Sequence, residues 1–260
     1  MLLPHRHPRV SNRHRSSIDH PRPLIFLHMP KAGGITLEGI IKRQYPGGRF
    51  FRFTGMAENL SAFCALTESE RADFDVLSGH VYFGIHEHVP RRCTYITMLR
   101  GPVERIVSLY HYVRRTPGHY LYNFGFADRR DVEDFVRRPI TPEIDNWQTR
   151  LLNPRPEQFL PVGGVDESML ERAMANLAEH FAVVGVTERF DDTLELLRSR
   201  FEWTDLSYER RNAMPGRSSA DELPASTVEA IFEANRFDAE LHRFAAELLE
   251  DAILRNIDCD

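Results

Sequence analysis

The chain has 260 residues, 42% of them hydrophobic and 27% charged, enough for one large α/β domain or two small ones. A net charge of −5 argues against wholesale nucleic-acid binding and leaves room for a local basic pocket. Three widely spaced cysteines, Cys64, Cys93 and Cys259, form no CxxC pair, so neither a disulfide framework nor a zinc ribbon is indicated.

Residues 1–22 are rich in Pro, His and Arg and have little to bury. They read as a disordered basic tail ahead of one domain over residues 23–260. No apolar run approaches the roughly 18–20 residues that a bilayer span requires, and the N-terminus has no apolar signal core. The expectation is a soluble chain in a reducing compartment, the cytoplasm.

Residues 24–36 read LIFLHMPKAGGIT: an apolar run, a tight turn, then the start of an amphipathic helix. Paired glycines let the backbone approach a ligand, and a helix N-terminus aims N–H groups at an anion. Lys31 adds a point charge there, so the loop suits a phosphate or sulfate. A Walker loop places its lysine after the glycines. Here the lysine comes first, which marks a different anion loop.

Leu37, Ile40, Ile41 and Tyr45 recur at helical spacing up to Pro46-Gly47-Gly48. An aromatic segment, Phe50–Phe53, and a helix around residues 60–66 follow. Residues 75–81 (DVLSGHV) read as a second strand with His80 near its end, followed by His86, Glu87 and His88. Residues 94–99 (TYITML) form a third strand, stopped by Arg100-Gly101-Pro102. Val103, Ile106, Val107, Tyr110 and Val113 then share one helical face, with Pro102 in the first turn.

Residues 114–142 read as a large loop or small helical insertion, and DNWQTRLL (145–152) as a helix start. Asp166 is positioned to cap a helix, FAVVGV (181–186) is a fourth strand, and residues 188–201 are helical. A loop over residues 212–219 precedes one long helical pattern from 224 to 255. Strands alternating with helices imply an α/β protein: a three-layer fold with a mostly parallel central sheet flanked by helices.

Arg100 sits at the carboxyl end of a strand, where open α/β sheets bind ligands, and Ser108 lies two turns into the next helix. Arginine and hydroxyl there can grip one phosphate from two sides. With the Lys31 loop on another strand, they make a site for two anionic groups.

These residues carry a resemblance. PKAGGIT after a strand resembles the 5′-phosphosulfate loop of the PAPS-dependent sulfotransferases, and TMLRGPVERIVSLYHY resembles their 3′-phosphate motif. SGHVYFG, DNWQTRLL, VGVTERFDDTLELL and ANRFDAELHRFA are similar to the carbohydrate branch that includes heparan-sulfate 2-O-sulfotransferases. The resemblance implies a three-layer P-loop-like α/β fold, PAPS as sulfo donor, with no metal, and a carbohydrate or small glycosylated acceptor. It implies that Lys31 contacts the bridging oxygen of the donor, with Ala32, Gly33, Gly34, Ile35 and Thr36 around the phosphosulfate. Arg100 and Ser108 match the 3′-phosphate pair, and Arg217 in the 212–219 loop matches a segment that closes over the nucleotide. His80, in SGHV, matches the catalytic base, with Glu87 in reserve. Two departures stand out: Ile35 where such loops often carry Thr or Ser, and Arg-Gly-Pro where Arg-Asp-Pro is usual.

A hydroxyl needs a proton acceptor to attack sulfur at neutral pH, and a neutral imidazole fits that need. His80, His86 and His88 as metal ligands fit no established spacing. Trp147, Tyr112, Tyr120, Tyr122 and Phe124 are aromatics able to stack on a sugar ring, and Arg114, Arg115, Arg129 and Arg130 can steer an anionic acceptor. The expectation is therefore an in-line sulfotransferase releasing PAP. The rival classes are a P-loop-type kinase or NTPase and a non-catalytic PAP- or glycan-binding module. The sequence carries no sign of an oligomeric state.

Overall fold

The computed structural model describes residues 23–54, 57–122, 131–138, 141–209 and 222–257. The basic tail at 1–22, the 212–219 loop with Arg217, and Phe124, Arg129 and Arg130 lie outside the described residues.

Five strands form one sheet in the order β2-β3-β1-β4-β5, every neighbouring pair parallel. They are β1 (Leu24–Leu27), β2 (Phe50–Phe53), β3 (Val76–Gly79), β4 (Thr94–Leu99) and β5 (Phe181–Val186). All residues of β1, β3 and β4 are buried, as expected for strands covered on both faces by helices. The Phe50–Phe53 segment, whose state the sequence left open, is an edge strand. Phe51 holds it there by packing on Phe63 and Phe74, with ring centroids 4.9 and 5.5 Å away.

The helices are α1 (Gly34–Gln44), α2 (Ala57–Ala65), α3 (Glu68–Ala72), α4 (Pro102–Arg114), α5 (Val132–Arg137), α6 (Trp147–Leu151), α7 (Glu167–His180), α8 (Phe190–Phe201), α9 (Ala225–Ala234) and α10 (Arg236–Ile257). The single helical pattern expected from 224 to 255 is thus two helices. The break falls at Asn235, which is fully buried and spends its side chain on bonds to Ile144 and Ile231 carbonyls. Asp166 caps α7 as expected, accepting from the Met169 N–H at 3.0 Å. No described helix is long and apolar enough to cross a membrane.

This strand order sets where a ligand can lie. After β1 the chain moves toward β2, and after β4 it moves the opposite way, toward β5. A crevice therefore opens outside the carboxyl ends of β1 and β4, at the topological switch point.

Candidate active site

Strand register delivers the main site residues to that crevice. Leu27 pairs with Thr97 of β4 and with Gly79 of β3. His28 and His80, each the first residue past its strand, therefore stand side by side. Lys31 and Arg100 follow a few residues beyond Leu27 and Thr97. The Arg100 guanidinium reaches back, Nη1 donating to the Lys31 carbonyl at 3.0 Å. The lysine loop and the arginine motif are thereby joined by one hydrogen bond.

The loop geometry depends on particular backbones. Lys31 itself has φ 70°, an unusual conformation for a side-chain-bearing residue, and Gly33 has φ 76°. Gly33 starts α1, its carbonyl accepting from Thr36 and Leu37 N–H groups. Gly34 is required by contact: a Cβ there would lie 2.0 Å from the His28 ring. That ring cannot step aside, because it stacks on Phe26 at 5.4 Å and meets His80 at 4.8 Å. Ala32 is buried, Thr36 half-buried, and Ile35 exposed at 61%. The Lys31 ammonium lies 3.7 Å from the centroid of the Tyr112 ring, a cation–π contact.

His80 carries a defined tautomer. Its Nδ1 lies 3.2 Å from the His28 carbonyl oxygen, which can only accept, so Nδ1 bears the hydrogen. Nε2 is left with its lone pair. Although His80 opens to solvent on one side, crowding around the ring lowers its pKa. The His28 carbonyl and the charges of Glu143 and Glu38 oppose that shift, while Arg52 adds to it. His28 is more extreme: burial, aided by His80, Arg52 and Lys31, takes its pKa down to about 3. It is neutral at any ordinary pH.

Arg100 is held by its backbone. Its N–H donates to Gln148 Oε1 at 2.9 Å, and its carbonyl accepts from Gln148 Nε2 at 2.8 Å. Next to it, the Gly101 N–H donates to Glu188 at 2.9 Å. Ser108 is buried in the second turn of α4. Gln148, His28 and Glu143 were not picked out from the sequence. His28 had one legible signal, a polar residue directly between the buried strand and the loop.

Glu87, the reserve base, follows His86, whose Nδ1 meets the Tyr95 hydroxyl at 3.0 Å near the amino end of β4. Among the described residues no group of His, Cys, Asp and Glu is placed to hold a metal ion.

A five-stranded parallel sheet flanked by helices, with a lysine loop, an arginine and a paired histidine at its switch point, is the architecture of an α/β protein. The family model for galactose-3-O-sulfotransferase matches residues 58–252, more than half of the chain, and the chain belongs to that family. The expected likeness to carbohydrate sulfotransferases is met, with galactose-3-O-sulfotransferases as the family shown. The chain is 26% identical over 179 residues to galactose-3-O-sulfotransferase 3 of Bos taurus, covering 64% of this chain and 41% of that protein. It is 27% identical over 179 residues to galactose-3-O-sulfotransferase 3 of Homo sapiens, covering 64% and 40%. With galactose-3-O-sulfotransferase 2 of Homo sapiens the figure is 24% over 167 residues, covering 60% and 40%. The chain thus spans about two fifths of the length of these curated relatives. The family match takes in His80, Arg100, Ser108 and Gln148, while the Lys31 loop lies before it.

Proposed function

We propose that this chain transfers the sulfo group of PAPS to a hydroxyl of a carbohydrate acceptor and releases PAP. The observation that carries the reading is the hydrogen bond joining Arg100 to the Lys31 loop beside His80. It gathers two cations, a helix N-terminus and a neutral imidazole in one crevice, a donor set suited to a nucleotide with anionic groups at both ends. Family membership supports the same chemistry.

PAPS supplies an activated sulfur with a good phosphate leaving group. His80 Nε2 takes the acceptor proton as the new O–S bond forms. Lys31, with the backbone of Ala32, Gly33, Gly34 and Ile35 and the Thr36 hydroxyl, stabilises the charge that collects on the departing phosphate oxygen. Arg100 and Ser108 hold the 3′-phosphate, with Arg217 a further candidate contact to the nucleotide. Positioning and charge stabilisation supply most of the rate. Residues 23–260 act as one catalytic domain. For the compartment we propose the reducing cytoplasm; Cys64 and Cys93, both free thiols, are in keeping with it.

The test is a thermal-shift panel of PAP, AMP, ADP and ATP with Mg²⁺ on wild type and Arg100→Ala, followed by sulfo transfer from PAPS to glycosides. Stabilisation by PAP that Arg100→Ala abolishes, with transfer that His80→Ala slows at least about a hundredfold, is the expected result. A larger response to ATP would replace this reading with a kinase, and PAP binding without transfer would leave a binding module.

A further inference from the structure

The segments around Thr187 and His242 take no part in the sulfo-transfer step, yet both converge on the turn between β4 and α4. That turn, Leu99–Gly101, carries Arg100. Its backbone groups are satisfied one by one. The Leu99 carbonyl accepts from the Thr187 hydroxyl at 3.0 Å, and Gln148 takes both the N–H and the carbonyl of Arg100. The Gly101 N–H donates to Glu188 Oε1 at 2.9 Å, and the Gly101 carbonyl accepts the first helical bond, from the Arg105 N–H at 2.9 Å.

Glu188 has a second partner. Its other oxygen, Oε2, lies 3.0 Å from His242 Nε2 on α10. A carboxylate only accepts, so Nε2 donates. One side chain thus ties the β4–α4 turn to the short turn Thr187–Arg189 after β5 and to α10.

A helix of this sequence has a nearer carboxylate for the same task. Glu104 is the third residue of α4, the position from which a capping-box glutamate reaches back to the N–H of the cap residue. Gly101 is that cap residue, and its N–H goes to Glu188 instead. A Cβ on Gly101 would lie 2.5 Å from Glu104 Oε2 and 3.2 Å from Glu188 Oε1, so two carboxylates hold the space that a side chain would need. An aspartate at this position would set a third negative charge against them, which accounts for glycine in Arg-Gly-Pro.

We infer that Glu188 is a positioning residue for the donor site: braced by His242, it holds the Gly101 N–H and so sets Arg100 where the 3′-phosphate binds. This rests on the sulfo-transfer reading above, in which Arg100 takes that phosphate. Gly101 is buried, so without Glu188 its N–H lacks an acceptor and the turn must shift to find one. Arg100 moves with it, and its bond to the Lys31 carbonyl passes the shift to the lysine loop.

The experiment measures the affinities of PAP and AMP, which differ by the 3′-phosphate, by titration calorimetry. The proteins are wild type, Glu188→Ala, Glu188→Gln, Arg100→Ala and the Arg100→Ala/Glu188→Ala double variant. Amide hydrogen exchange at Gly101 adds a readout that needs no nucleotide. Glu188→Ala should weaken PAP at least tenfold, leave AMP within twofold and speed Gly101 exchange at least tenfold. Glu188→Gln keeps an acceptor for the N–H and should stay within threefold of wild type for PAP. In the Arg100→Ala background the second substitution should cost no further PAP affinity, because the arginine it positions is gone. Equal losses of PAP and AMP in Glu188→Ala, or a further loss of PAP in the double variant, would reveal a general structural role and overturn the inference. PAP affinity retained in Glu188→Ala would overturn it too, while leaving the donor site standing. Wild type that binds PAP no more tightly than AMP would defeat the donor-site reading itself, and the positioning role with it, even where Gly101 exchange confirms the bond to Glu188.

Discussion

At His80, burial and hydrogen bonding pull the proton affinity in opposite directions. Burial is the larger effect and lowers the pKa below the ordinary 6.5, while the His28 carbonyl, Glu143 and Glu38 raise it and Arg52 lowers it. Only the neutral ring can take a proton, so activity is lost as pH falls through this lowered value. The log of kcat/KM is expected to stay level down to pH 6.5 and to fall below it. Arg52→Ala should move that acid limb to higher pH by removing a cation. His80→Ala should abolish the limb and cost roughly 10²–10⁴ in rate. His28 makes a separate, thermodynamic prediction. Its folded pKa of about 3 lies below the unfolded 6.5, so the unfolded state binds the extra proton between those values. The stability held above pH 6.5 is therefore lost as pH falls from 6.5 toward 3. The slope approaches about 1.4 kcal/mol per pH unit. Urea denaturation from pH 7 to 4.5 should show His28→Asn with a slope flatter by that amount. Equal slopes would mean that His28 is protonated in the fold.

At the scale of elements, α6 and α10 cap each other. Asn146 Oδ1 accepts from the Phe237 and Asp238 N–H groups at the start of α10, at 2.9 and 3.1 Å. Asp238 in return accepts from the Gln148 and Thr149 N–H groups at the start of α6, at 3.1 and 2.8 Å. This reciprocal capping satisfies helix-end donors buried far from water. It also fixes Gln148, whose amide then brackets the Arg100 backbone. DNWQTRLL is thus the part that aims the arginine, a role invisible in a segment that reads only as a helix start. Gln148→Ala removes both hydrogen bonds to the part-buried Arg100 backbone, worth about 1–3 kcal/mol in all. PAP affinity should fall about tenfold in the same variant, measured by titration calorimetry. A loss of stability with PAP affinity intact would show that Gln148 serves the fold alone.

Across the whole molecule, a chain of net charge −5 presents cationic groups where the sheet's connections diverge. An anion bound only by the folded state stabilises it by mass action. PAP at a hundredfold excess over its Kd is expected to add about 2.7 kcal/mol, which raises Tm by roughly 5–11 °C for a domain this size. Arg100→Ala should lose the shift. The residue types of the donor site were legible because strand, loop and helix are consecutive there, as in residues 24–36. Glu143 and Gln148 were not, because each acts on a partner from a distant part of the chain. The edge strand Phe50–Phe53 was equally obscure: four residues without alternation carry no period, and its state is decided by Phe63 and Phe74.

By itself the sequence determined the alternation of strands and helices, the lysine-first anion loop and the arginine eight residues before a serine. Those are local properties, written in hydrophobic period, glycine placement and spacing. Only the tertiary structure decided that β1 and β4 are neighbours with diverging connections, that the His28 ring packs against Gly34 of the loop, and that His28 and His80 stand side by side. Pairing and register are set by burial summed over the whole core, and no single segment carries that information.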